Sequence, residues 1–171
     1  MILSGSEIKK QVGLKRIHIS PFLEEHVNPN SYNYRLSPLL LQIKDDPIDP
    51  RVEPQHHQIE IPPQGYLLEP GRLYLGSTLE EIGSSHYVIS LIGRSSLGRL
   101  GLFLQITSDL SQLGAQHCWT LELTVVQPFI IYPNMKIGQV SFWTVEGDPE
   151  LYYQGKYHDL RPHPSKIFGE L

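Results

Sequence analysis

Hydrophobic residues recur in short alternating or continuous runs along most of this chain, and proline, glycine or asparagine separates the runs. Alternation with a period of two is typical of a β-strand that buries one face. The pattern predicts strands over 17–19, 32–36, 39–43, 59–61, 66–68, 73–78, 87–92, 103–107, 117–125, 130–132 and 136–142. Because short strands joined by tight turns favour antiparallel pairing over βαβ units, we expect a sandwich or barrel.

One helix is predicted near the start of the chain. Ser4 and Glu7 have the spacing of a capping box, Ile8 and Val12 share one helical face, and Gly13 is a natural stop. The helix is therefore expected over about residues 5–12.

The segment 45–58 contains three prolines and many polar residues, so we interpret it as a long surface loop. His56 and His57 lie in this segment and suggest a metal pair. No third ligand stands at a useful spacing, which favours two solvated loop histidines over a metal site.

Composition excludes several classes of protein. The formal net charge is −4, whereas a general nucleic-acid-binding surface needs a basic face. Cys118 is the only cysteine, which excludes an internal disulfide and multi-cysteine zinc sites, and we expect it to be a small buried hydrophobe. No apolar run approaches the roughly 20 residues of a membrane span, and Met1 does not open a signal peptide. We expect one domain over 1–171, in the cytoplasm.

The stretch 92–102 concentrates groups that bind anions. Arg94 and Arg99 offer forked donors for phosphate or carboxylate oxygens, and Ser95 and Ser96 would lie at the start of a short helical turn. Three leucines are expected to hold this turn against a core: Leu97, Leu100 and Leu102. The stretch is either an anion-binding, catalytic turn or an ordinary connection with two solvated arginines.

Glu122 is the only charged residue in the run 117–125. Alternation permits an outward-facing strand carboxylate. The alternative is a carboxylate in a half-buried pocket, with a pKa suited to proton transfer. The tail over 146–171 is polar and aromatic, and we interpret it as a lid over a ligand site.

Several segments, in order, resemble the dCTP deaminases of the dUTPase-like superfamily. They are 28–36, 68–71, 78–80, 93–101, 120–123, 133–139, 155–157 and 164–166. The resemblance implies a mostly β fold, a dUTPase-like β-barrel or β-clip, with a short N-terminal helix and a short helical turn after Arg94. It also implies a homotrimer with active sites at the subunit interfaces.

The activity that the resemblance implies is hydrolytic deamination of dCTP to dUTP and ammonia, without zinc. The chain lacks the His-x-Glu and Pro-Cys-x-x-Cys signature of the zinc deaminases. Glu122 matches the catalytic glutamate, Ser95 the serine that orients water, and Arg99 the arginine that pairs with the glutamate. Mg²⁺ would be bound through the triphosphate. The implied nucleotide contacts are Arg94, Ser96, Gln112, Trp119, Thr120, Tyr153 and Lys156.

The chain departs from the family pattern before the catalytic strand. An Asp-Pro-Gly-aromatic-x-Gly hairpin is usual there, and of that pattern only Gly114 remains in the segment Gln112, Leu113, Gly114, Ala115, Gln116 and His117. Gln112 cannot act as a base near neutral pH, so we expect weak or absent dUTPase activity. In the tail, Leu160 replaces an expected phosphate-contacting glutamine.

Three alternatives therefore stay open. The first is a deaminase of a different or modified cytosine nucleotide. The second is a non-catalytic nucleotide-binding protein on the same fold. The third is a purely structural ion pair between Arg99 and Glu122.

Overall fold

The computed structural model describes residues 1–44, 47–49, 51–52, 54–105, 109–148 and 150–154. Two α-helices occur in this part of the chain, α1 (Gly5–Gly13) and α2 (Ser95–Gly98), with one 3₁₀ helix at Glu24–His26. The strands are β1 (His18–Ser20), β2 (Tyr32–Arg35), β3 (Leu39–Ile43), β4 (His56–Glu60), β5 (Tyr66–Leu68), β6 (Tyr74–Ser77), β7 (Glu81–Gly83), β8 (Tyr87–Gly93), β9 (Leu102–Gln105), β10 (Gln116–His117), β11 (Thr120–Val125), β12 (Phe129–Ile131) and β13 (Lys136–Thr144).

The strands form four small antiparallel sheets. Their orders are β1-β7-β10, β4-β3-β6-β11-β9, β12-β5 and β2-β13-β8. One hydrophobic core joins them, because each sheet and α1 contribute fully buried side chains to the same cluster: Ile8, Leu68, Tyr74, Ile82 and Val140. The mostly β fold is thus confirmed.

The predicted helices are both present. The Ser4 hydroxyl oxygen accepts the Glu7 backbone N–H at 3.4 Å, as the capping-box spacing requires. The second helix, α2, is a single short turn directly after Arg94. None of the helices among the residues described is long and apolar enough to cross a membrane.

Tyr34 and Gly138 fix the end of the strand that leads into α2. The Tyr34 side chain crosses β13 and its hydroxyl donates to the carbonyl of Ile92 on β8 at 3.0 Å. Any Cβ at position 138 would collide with the Tyr34 ring, so only glycine leaves room for this crossing. Burial raises the pKa of Tyr34 far above its ordinary value, which keeps the phenol neutral as a donor.

The predicted loop over 45–58 is wrong at its end, because β4 begins at His56 and pairs with β3. Edge strands keep one polar face, so the hydrophobic pattern did not reveal it. Successive strand residues point to opposite faces, and His56 and His57 are therefore placed on different sides of the sheet. The predicted run 117–125 is divided between β10 and β11, and the short strand β7 was not predicted.

Candidate active site

Glu122 lies in the middle of β11, with Leu75 of β6 and Gln105 of β9 as its backbone neighbours in the sheet. Burial alternates along β11: Leu121, Leu123 and Val125 are buried, whereas Thr120, Glu122 and Thr124 are half-buried. The carboxylate therefore belongs to the less buried face of a central strand. That position combines the two sequence interpretations, since the group faces outward and is still partly enclosed.

The turn α2 exposes the side chains that the sequence predicted to bind anions. Ser95, Ser96 and Arg99 are exposed. Arg94 is half-buried, and its guanidinium donates to the carbonyl of Lys136 at 3.4 Å. The Arg94 carbonyl accepts the N–H groups of Leu97 and Gly98, which closes the turn.

The leucines after Arg94 do not all hold the turn against the core. Leu97 packs on the core and Leu102 is buried, as expected. Leu100 is 57% exposed, so the prediction for that residue is wrong. The reason is local, because α2 ends at Gly98 and Leu100 lies beyond the face that the helix buries.

The turn α2 leads into β9, which pairs with the strand of Glu122. The carbonyl of Gly101 accepts the N–H of Val126 at 3.0 Å, directly after the end of β11. Glu122 lies three residues before Val125, which is about 10 Å along a strand. The pairing of Arg99 with Glu122 stays a prediction.

Trp119 is held just before β11 begins. Its backbone N–H donates to the Thr78 hydroxyl at 2.8 Å, and its indole N–H donates to the carbonyl of Ile82 at 2.9 Å. The centroids of the His117 and Trp119 rings are 4.1 Å apart, and the two ring planes are tilted by 34° to each other. Trp119 and Thr120 are half-buried. Thr120 is the first residue of β11, the strand of Glu122, and Trp119 directly precedes it.

The divergent segment 112–117 lies against the start of the tail. Gly114 has a φ of +87°, a backbone conformation that glycine adopts readily, which explains why a glycine stands there. The N–H of Tyr153 donates to the carbonyl of Leu113 at 2.8 Å. Gln112 is exposed and Tyr153 is half-buried, so these two predicted contacts lie together. Lys156 and Leu160 lie outside the described residues.

Comparison with known proteins gives a matching family model and similar relatives. A family model described as dCTP deaminase-like matches residues 2–145. The chain belongs to the dCTP deaminase-like family. A relative from Hathewaya histolytica, named dCTP deaminase, dUMP-forming, is 46% identical over 100% of this chain and 99% of its own. A relative of the same name from Clostridium botulinum (strain Alaska E43 / Type E3) is 47% identical over 93% of this chain and 91% of its own.

A solved structure shares the fold of this dCTP deaminase-like chain. It is the crystal structure of 2'-deoxycytidine 5'-triphosphate deaminase from Agrobacterium tumefaciens, with a TM-score of 0.66 and 20% identity. The match covers 82% of this chain and 46% of that chain, so this chain spans less than half of the solved one. The dUTPase-like fold is thus confirmed.

Sequence reasoning missed an ion pair between the end of β2 and the residue before β7. Glu80 is fully buried and accepts the Arg35 side-chain Nε–H at 2.7 Å and the Arg35 backbone N–H at 2.8 Å. Both residues belong to segments that resemble the family, yet neither segment had been given a role. Spacing alone could not pair them, since 45 residues separate them.

A histidine near this pair also escaped the sequence analysis. His26 is buried and its Nδ1 bonds the carbonyl of Asn33 at 3.0 Å. Burial lowers the pKa of His26, and the positive charge of Lys136 lowers it further.

No group of three or more His, Cys, Asp or Glu side chains suited to a metal occurs in the part of the chain that the structure describes.

Proposed function

We propose that this protein deaminates dCTP at cytosine C4, with Glu122 as the base and then the acid. The position of Glu122 carries the proposal, because a half-buried carboxylate on a central strand can reach both water and a bound base. Family membership and the names of two relatives support dCTP as the substrate.

The chemistry needs a group that moves protons. Water has a pKa near 15.7, so a carboxylate must take its proton as the oxygen bonds to C4. Glu122 passes that proton to N3, which neutralises the ring as the tetrahedral intermediate forms. Glu122 then takes the proton of the new hydroxyl and delivers it to the amino group, the C4–N bond breaks, and ammonia leaves with a carbonyl at C4.

The turn α2 supplies the polar groups of this mechanism. Ser95 orients the water, and Arg99 pairs with Glu122 and stabilises developing charge. Arg94 and Ser96 bind the phosphates, together with Tyr153 and Lys156 of the tail. Mg²⁺ is bound by the substrate phosphates, and no side chain of this chain is assigned to it. The exposure of Ser95, Ser96 and Arg99 supports these roles, since the groups are available to a ligand.

We further assign the active form to a homotrimer with interface sites. Four exposed apolar side chains lie on or near α2 and β9: Ile92, Leu100, Phe103 and Val126. Exposed apolar patches of this kind mark interaction surfaces in otherwise soluble proteins. A second subunit on this patch would cover α2 and enclose its polar groups.

The product is the point on which two observations differ. Gln112 favours dUTP, because an amide cannot take a proton from a water that attacks a phosphate. The relatives are named dUMP-forming, and their identities of 46% and 47% favour dUMP as a second candidate. We assign dUTP to this chain on the residue at position 112.

Ammonia release from purified protein with Mg²⁺ tests the function. The panel is dCTP, CTP, dCMP and 5-substituted dCTPs, with products separated by chromatography and the mass of the active species measured by sedimentation. Formation of dUTP supports the proposal, and formation of dUMP with pyrophosphate supports the second candidate. Turnover of another nucleotide alone identifies a changed pocket. Nucleotide binding without any turnover identifies a non-catalytic binding protein.

The variant Gln112→Asp tests the choice of product directly. A carboxylate at this exposed position restores a base, so we expect the ratio of dUMP to dUTP to rise about tenfold or more. Gln64→Asp is the matched control at an exposed turn elsewhere. Wild-type protein that already forms only dUMP would contradict the assignment of dUTP.

A further inference from the structure

In the segment between β10 and β11, the backbone N–H of Trp119 is bonded by a side chain and not by another strand. Cys118 and Trp119 belong to neither strand. Thr78 bonds both backbone groups of Trp119. Its hydroxyl accepts the Trp119 N–H at 2.8 Å, and its backbone N–H donates to the Trp119 carbonyl at 2.9 Å.

The Thr78 hydroxyl is itself fixed in direction. Its one proton donates to the backbone carbonyl of Glu80 at 2.8 Å, which leaves an oxygen lone pair for Trp119. Thr78 is fully buried, so water does not compete for either bond. The Thr78 hydroxyl therefore connects two backbone segments in one defined orientation.

The Thr78–Glu80 segment is in turn tied to β2. Arg35 holds the Glu80 carboxylate through its Nε–H and its backbone N–H, and its carbonyl accepts the N–H of Leu79 at 2.8 Å. The buried ion pair therefore supports the residue that holds Trp119. This connection leads from β2 through Thr78 to the start of β11.

The next residues along the chain lead to the carboxylate that the proposed reaction uses. Thr120 follows Trp119 directly, and Glu122 lies three residues after Trp119 on β11. A displacement of about 1 Å of a catalytic group lowers rates by up to about a hundredfold. Pairing with β6 and β9 holds the middle of β11, and the contacts of Trp119 hold the residue before its start.

We propose that Thr78 is a positioning residue for the deaminase reaction, acting through the backbone of Trp119. The proposal rests on the proposed function, because it concerns the placement of Glu122. In this assignment Thr78 does not contact the reacting atoms. Its role is to hold the first residues of the catalytic strand.

Thr78→Val is the decisive variant, since it keeps the shape of the side chain and removes the hydroxyl. We expect kcat for dCTP to fall about 10- to 100-fold, with KM changed by less than about threefold. Thr78→Ser keeps the hydroxyl and should restore kcat to within about threefold of wild type. Thr144→Val is the matched control, because the Thr144 hydroxyl also bonds the backbone, at the exposed N-terminus.

Thermal melts of all variants show whether each is folded at the assay temperature. A Thr78→Val protein that is folded and keeps its kcat overturns the proposal. An equal loss of kcat in Thr78→Ser also overturns it, because the hydroxyl would then not be the group that matters.

Fluorescence gives a second readout that does not require turnover. The chain has two tryptophans, so Trp143→Phe leaves Trp119 as the only reporter. In that background Thr78→Val should increase quenching of Trp119 by acrylamide, whereas Thr78→Ser should not. Unchanged quenching in Thr78→Val would show that the Thr78 hydroxyl does not hold Trp119, which overturns the proposal. A wild-type protein that deaminates no nucleotide overturns the proposed function and, with it, the catalytic part of this inference. The quenching comparison then still decides whether Thr78 holds Trp119.

Discussion

Glu80 and Glu122 occupy opposite environments in two neighbouring regions of the fold. Glu80 follows β6, is fully buried, and accepts two hydrogen bonds from Arg35. Glu122 lies on β11, the strand that pairs with β6, and is half-buried. Burial therefore separates two carboxylates that belong to adjoining elements.

The contrast shows how one fold assigns different tasks to the same residue type. A carboxylate that is fully buried and paired with a guanidinium cannot exchange protons with water without leaving a half-buried positive charge unpaired. A carboxylate on the half-buried face of a strand can meet a solvent molecule or a ligand. We therefore expect Glu80 to act on stability and Glu122 on turnover.

The largest effect is expected for Glu122→Gln. Loss of the proton-transfer group should lower kcat for dCTP by about 10²- to 10⁴-fold, while nucleotide binding and the melting temperature stay close to wild type. Ammonia release and calorimetric titration with dCTP measure the two quantities. Glu60→Gln, at an exposed position of β4, is the matched control. A much lower melting temperature than that of the wild type would instead give Glu122 the structural role of Glu80.

Glu80→Ala should act mainly on stability. Removing one partner of a buried ion pair leaves Arg35 without its counter-charge and should lower the free energy of unfolding by about 3–5 kcal/mol. Urea denaturation measures this change. Glu81→Ala is the matched control, because the Glu81 side chain is 45% exposed and its surface contact with His18 should contribute at most about 1 kcal/mol. An equal loss of unfolding free energy in the two variants would show that the buried Glu80 stabilises the fold no more than the exposed Glu81.

The smallest effect concerns Cys118, which lies at the boundary between the two regions. The thiol is buried, and burial raises its pKa to about 11. Because a raised pKa lowers the thiolate fraction, labelling by a disulfide reagent at pH 8 should be about a hundredfold slower than for an ordinary thiol. The same protein in denaturant is the control. Rapid labelling of the folded protein would mean that the segment before β11 is open to solvent.

Local pattern was sufficient for most of the elements. The capping box at Ser4 marks the start of α1, and the alternation around Glu122 marks β11 with its buried and half-buried faces. Both signals act over a few residues, because helix caps and strand faces follow from backbone geometry. Edge and very short strands lacked such a signal, and for that reason β4 was partly assigned to a loop and β7 was missed.

The sequence by itself determined the strand-rich architecture, the turn after Arg94 and the group of residues expected to do chemistry. Only the tertiary structure decided that Arg35 meets Glu80, that Thr78 holds Trp119, and that Leu100 faces outward. Those outcomes depend on contacts between residues far apart in the chain, or on where a helix one turn long ends. Spacing along a sequence carries no information on such contacts, since they arise only when the sheets pack on one another.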